Sequence, residues 1–204
     1  MTNDFNIAAS TIPQKEVNAF VAAAANGDEE AIRRALEKYS GRILNAQDNN
    51  GEIALTQAAW AGHFMIVALL LDKGADPQAT ESDGTTALMW AAWGGNLTIV
   101  TLLLRKGALL DTANNIGNTA LIWAARRGQK DTVELLLKKG ADIGARNGNG
   151  HTALSLAERN GHPDIAALIR AHELERDVAA VYEGIKEEIN VSPITFQKKH
   201  PPLR

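Results

Sequence analysis

Five histidines, at positions 63, 151, 162, 172 and 200, are the side chains best suited to moving protons or holding a metal near neutral pH. Their spacing assembles no such chemistry. His172-Glu173 lacks the second histidine that a zinc-protease helix needs one turn further on. His63 and His162 each follow a glycine that recurs along the chain, so a structural role accounts for both. His200 lies in a proline-containing C-terminal stretch. His151 lies at a turn tip and remains a candidate contact residue.

Other groupings fail in the same way. Asp48-Asn49-Asn50-Gly51 has the look of a calcium loop but lacks its spacing and closing glutamate, and a turn explains it. No Gly-Lys-Ser/Thr follows the glycines of Asn147-Gly148-Asn149-Gly150, so they do not form a phosphate loop. The absence of cysteine removes thiolate nucleophiles, disulfides and Cys-ligated zinc. The chain is therefore expected to be no enzyme, with no catalytic residue, no metal and no cofactor.

The composition is that of a core-forming chain: 204 residues, 45% hydrophobic and 22% charged, with a net charge of −3. No strong basic field draws it to nucleic acid. The N-terminus shows no basic region followed by an apolar one, and the longest apolar run, from Phe64 to Leu71, is too short for a bilayer, which needs ~20 residues. No membrane association is expected, and a cytoplasmic location is the default, with a secreted effector as the other option.

The elements that position any site come from a repeat. Gly51, Gly84, Gly117 and Gly150 are 33 residues apart. Leu55, Leu88, Leu121 and Leu154 keep the same step, as do Gly62, Gly95, Gly128 and Gly161. Each unit reads as two short helices, the second with apolar positions such as Ile99, Val100, Leu103 and Leu104 at helical spacing, and Gly107 suits a left-handed cap. Isolated helices this short are marginal in water, so the units must stabilise one another by stacking.

The register of Gly, Leu, Ala and Gly resembles the ankyrin repeat. The family's T-P-L-H corresponds here to Ile53-Ala54-Leu55-Thr56, Thr86-Ala87-Leu88-Met89, Thr119-Ala120-Leu121-Ile122 and Thr152-Ala153-Leu154-Ser155. Proline is always alanine and histidine is always missing, so its hydrogen bonds must be replaced or forgone. The resemblance implies an all-α solenoid of helix–turn–helix repeats joined by β-hairpin-type loops, with an extra C-terminal helix. The expected divisions are a flexible segment at 1–16, a divergent capping repeat at 17–47, and repeats at 48–80, 81–113, 114–146 and 147–172. A capping helix at 173–190 and an extended tail at 191–204 follow.

The stripe Leu174, Val178, Val181, Tyr182, Ile185 and Ile189 on that last helix is expected to cover the final repeat; dimerisation through it is the alternative to an expected monomer. The tail, with Phe196, Lys198 and Lys199, offers a further option of folding back over the aromatic end.

Residues that break the repeat's pattern are the candidates for function, because fold alone does not specify it. Counted from the hairpin glycine, positions 4, 7, 8 and 11 share one arc of the first helix and form its core face. Positions 6, 9 and 10 point the other way. Position 9 holds Trp60, Trp93, Arg126 and Arg159; position 6 holds Gln57, Trp90, Trp123 and Leu156; position 10 includes Arg127. All four tryptophans are thus expected on the outward, concave side. Trp60 and Trp93 are favoured as partner contacts, whereas Trp90 and Trp123 suit seam packing equally well.

Charge divides along the chain: residues 1–95 carry 6 basic and 12 acidic side chains, and residues 96–172 carry 10 and 6. Glu52, Glu81 and Asp83 are expected at acidic early hairpin tips, and Arg126, Arg127, Arg146 and Arg159 gather later. Asn115, Asn118 and His151 complete the candidate hairpin contacts. The expected function is non-catalytic binding of a peptide or protein surface in the groove, as an adaptor, scaffold or inhibitor. Nucleic-acid or phosphate-ligand binding through the basic later half is the alternative, disfavoured by the acidic total.

Overall fold

The structure, a computed structural model, describes residues 12–190. Ten helices occur among them: α1 (Gln14–Asn26), α2 (Glu29–Tyr39), α3 (Ala54–Ala61), α4 (Phe64–Asp72), α5 (Ala87–Gly94), α6 (Leu97–Arg105), α7 (Ala120–Arg127), α8 (Lys130–Lys138), α9 (Ala153–Arg159) and α10 (Pro163–Asn190). They form five helix–turn–helix pairs. The first helices α1, α3, α5, α7 and α9 stack in one row, and the second helices stack in another. This is the all-α solenoid expected from the repeat.

Side-chain size sets the curvature of the stack. The first helices present the alanine pairs Ala58/Ala59, Ala91/Ala92 and Ala124/Ala125, all fully buried. Short side chains let neighbouring backbones approach closely. The second helices bury larger groups such as Val67, Leu70, Val100, Leu103, Val133 and Leu136. Contacts along the first row are accordingly dense and those along the second row sparse. The stack therefore curves toward its first-helix side, which becomes the concave face.

Loops join the units by hydrogen bonds rather than by a sheet; the single β-bridge among the described residues links Thr80 and Thr86. Each loop closes on itself, as in Asp48 N–H to Glu52 O at 2.9 Å and Asn147 N–H to His151 O at 3.0 Å. Each also donates to its predecessor: Ser82 N–H to Gly51 O at 3.0 Å, Asn115 N–H to Asp83 O at 2.9 Å and Gly148 N–H to Ile116 O at 2.8 Å. The Asp48 carboxylate accepts from Asn50 N–H at 2.8 Å and Glu52 N–H at 2.9 Å, so the apparent calcium loop is an Asx turn.

The missing histidines are replaced in two units. Thr56 Oγ1 donates to Ile53 O at 2.8 Å. Thr152 and Ser155 form a reciprocal capping box. In the other two, Met89 and Ile122 are buried and forgo those bonds, while Thr86 and Thr119 cap the helix N-terminus.

The residue after each inter-helix glycine reaches back to the preceding unit. His63 Nε2 lies 3.1 Å from Ala25 O, Asn96 Nδ2 donates to Ala59 O at 3.3 Å, and Gln129 Nε2 donates to Trp93 O at 3.1 Å. A Cβ at Gly128 would lie only 2.7 Å from the His162 ring. His63 and His162 are thus spacers between units.

The ends depart from expectation. Gln14, Lys15 and Glu16, assigned to a flexible segment, already belong to α1. Proline at position 13 leads directly into a helix, and Val17, Phe20, Val21 and Ala24 bury its inner face against the stack. Residues 1–11 and the tail 191–204, with Phe196, Lys198, Lys199 and His200, lie outside the described residues. At the other end, no separate cap begins at 173. α10 runs unbroken for 28 residues. Ile165, Ala166 and Ile169 hold its start on the stack, but Leu174, Val178, Val181, Tyr182 and Ile185 are all exposed. No proline or glycine interrupts residues 164–183, so nothing ends the first helix or turns the chain back.

Candidate functional site

The repeat brings the four tryptophans into one ladder across the concave face. Positions 6 and 9 lie three residues apart and share a helix face. Position 9 of one unit meets position 6 of the next. Trp60 approaches Trp90 edge-on with ring centroids 6.3 Å apart, and Trp93 approaches Trp123 edge-on at 5.5 Å. Trp90 and Trp123, both at position 6, are 4.9 Å apart. Edge-to-face and tilted contacts at these separations are favourable for aromatic quadrupoles.

The outward placement expected for all four rings holds only in part. Trp60 is 52% exposed, Trp90 and Trp93 are half-buried, and Trp123 is only 8% exposed. Gln57 and Leu156 are buried as well. Position 6 therefore faces the seam between units, and position 9 stands at the rim. The physical cause is the neighbouring unit, which covers one flank of every first helix except at the ends.

Arginines extend the ladder. The Arg127 guanidinium lies 4.6 Å from the Trp93 ring centroid, and that of Arg126 lies 5.8 Å from it. Both side chains are exposed. The Trp93 face is thereby occupied by the protein's own cations. Trp60 is left as the open indole, with two guanidinium groups further along the same face.

The remaining candidates are dispersed. Arg159 lies 3.3 Å from His151 Nε2, and Arg146 donates to Gly150 O at 3.0 Å. Asp83 is exposed and accepts from Thr85 N–H at 2.9 Å. Glu52 is half-buried. Asn115 is exposed and donates to Ser82 O at 3.3 Å. Asn118 is buried and accepts from Asn147 Nδ2 at 2.9 Å, which makes it a link between adjacent loops.

Glu81 is the residue the sequence reading misplaced. It was expected at an acidic tip, but it is only 8% exposed and turns inward. Its carboxylate accepts from Gln57 Nε2 at 3.0 Å and from Trp90 Nε1 at 3.1 Å. Burial pushes its pKa above the ordinary carboxylate value, against the hydrogen bonds from Thr56, Trp90 and Gln57, and the nearby charge of Asp83 adds to the rise. The signal was present in the register. The equivalent position holds Asp48, Asn114 and Asn147, each of which caps its own loop. Glutamate is one methylene longer, and here Asp83 caps the loop instead.

Among the described residues no group of three or more His, Asp or Glu side chains could hold a metal ion, and no helix is long and apolar enough to cross a membrane. No curated protein matches the chain. A family model described as ankyrin repeats (3 copies) matches residues 3–81, 76–147 and 108–181. Ankyrin repeats are generally protein–protein interaction modules and are typically non-catalytic. The match covers more than half of the chain and the helix pairs stack in the same order, so this protein belongs to the ankyrin repeat family.

Proposed function

We propose that the protein is a non-catalytic adaptor or inhibitor that holds a peptide segment or protein surface against the concave face. Trp60 supplies the apolar anchor, and Arg126 and Arg127, set by Trp93, pair with carboxylates of the guest. Trp90 and Trp123 act from behind, fixing the rim rings in place. Arg159, His151, Asn115, Asp83 and Glu52 line the path at the loops. The same proposal places the protein in the cytoplasm.

The observation that supports this reading is the exposure of Trp60, 52%, at the end of a ladder whose other rings are half-buried or buried. A large apolar ring left open beside ordered neighbours is the usual form of an interface anchor. A peptide-display selection against the whole chain tests it. Enriched peptides are expected to pair an apolar or aromatic residue with acidic ones, and to lose affinity about tenfold or more for Trp60→Ala and for the Arg126→Ala/Arg127→Ala double variant. Equal affinity for these variants would overturn the reading, as would preferential, salt-sensitive binding of oligonucleotides.

A further inference from the structure

We propose that α10 pairs antiparallel with the α10 of a second copy, through residues 174–186, to make a two-fold dimer. Five large apolar side chains are left open there: Leu174, Val178, Val181, Tyr182 and Ile185 are each at least 51% exposed. At about 100° per residue they fall within an arc of about 100°, a continuous stripe. α10 measures about 42 Å at 1.5 Å per residue, and its second half projects beyond the stack. The projecting half alone, about 14 residues, is near the length at which an unpacked helix is marginal in water, so the stripe calls for a cover.

The pattern of the stripe selects a copy of itself. Leu174, Val178, Val181 and Ile185 are spaced four, three and four residues apart, and this order reads the same in both directions. Antiparallel pairing centred between Ala179 and Ala180 sets Leu174 against Ile185 of the second copy and Val178 against its Val181. These are the layers of an antiparallel helix pair. Such a contact is isologous, and it closes after two copies.

Charge agrees with this direction. Glu175 and Lys186 lie on one flank of the stripe, at about 100° and about 120° from Leu174. Reversal brings Glu175 within a turn of Lys186 of the second copy, and symmetry makes the pair twice. Parallel pairing would leave the two about 16 Å apart along the axis. Within one chain, Lys186 has an exposed contact at 3.4 Å to Glu183 and lies 6.0 Å from the Tyr182 ring centroid, both weak enough to be exchanged at little cost.

Sedimentation equilibrium of the full chain tests the proposal, from about 5 μM to about 200 μM, the range in which a small helix-pair interface is expected to associate. A reversible increase from 21.9 kDa to twice that mass is expected. Val178→Glu/Val181→Glu should weaken association about tenfold or more by burying charge in the seam, while the melting of the repeat stack stays unchanged. Glu175→Lys and Lys186→Glu should each weaken it, and the two together should restore it. A chain that stays monomeric throughout the range overturns the proposal. So does a dimer indifferent to Val178→Glu/Val181→Glu, or a charge exchange that fails to restore association, which would assign the stripe to a different protein.

Discussion

The indole N–H of Trp90 donates to the Glu81 carboxylate across 3.1 Å, while Gln57 of the preceding unit donates to the other oxygen at 3.0 Å. One buried acid therefore joins two repeats beneath the aromatic ladder. Its pKa is raised, first by burial. A carboxyl group that holds its proton more tightly when folded adds stability as pH falls toward its unfolded value, and subtracts stability as pH rises through its folded value. The window opens above the ordinary value of 4.5. Urea melts at about pH 5 and about pH 7.5 are expected to show wild type gaining on Glu81→Gln at the lower pH. A gap that widens in the other direction would contradict burial as the main cause.

Seam and rim tryptophans should separate in stability. Trp123 is nearly buried, and Trp123→Ala is expected to cost about 3–5 kcal/mol, the range for deleting a large core ring. Trp60→Ala should stay within about 1 kcal/mol, because half of the ring already meets water. Chemical denaturation of the two variants checks this; similar losses would mean that both rings belong to the core.

The Arg127 guanidinium carbon sits over the Trp93 ring, 4.6 Å from its centroid. Arg127→Ala is expected to cost no more than about 1 kcal/mol and to shift Trp93 emission to longer wavelength as water reaches the ring. Arg127→Lys should recover little of this, since an ammonium lacks the flat surface. An unshifted spectrum would mean that the guanidinium does not cover the indole in solution.

Two glycines with positive φ should respond differently to a methyl group. Gly117 has φ +77° and an added Cβ would lie 2.9 Å from Asn147 Cα, on the next loop. Gly74 has φ +95° but no heavy atom within 4 Å of that position. Gly74→Ala is expected to cost the backbone strain alone, about 1–2 kcal/mol. Gly117→Ala should cost more and also loosen the Gly148 N–H to Ile116 O link between loops. Thermal melts of the two variants decide it.

The helices and the core were legible because both follow from the period. Leu55, Leu88 and Leu121 and the alanine pairs behind them are buried as the 33-residue register requires. His63 and His162 were legible as structural residues because each repeats a position. The seam was only half legible: on the sequence, Trp90 and Trp123 suit packing between units and partner contact equally well. A helical wheel of α7 shows that Trp123 points away from α8, but not that α5 covers it, since that contact joins residues 33 apart in sequence. The end of the stack was misread for a related reason. The stripe from Leu174 to Ile185 shows a helix with one apolar face, and only the missing turn signal before it shows that this face leaves the stack. Its place in the chain puts Glu81 with Glu52 and Asp83 at an early hairpin tip, whereas the length of its side chain decides where its carboxylate goes.

The proposed function turns on Trp60 as the open anchor of the concave face. Fluorine NMR of the chain labelled with 5-fluorotryptophan, titrated with a selected peptide, tests it most directly. Four resonances are expected, with the Trp60 signal shifting most on binding and the buried Trp123 signal shifting least. A bound peptide that leaves the Trp60 resonance in place would contradict it.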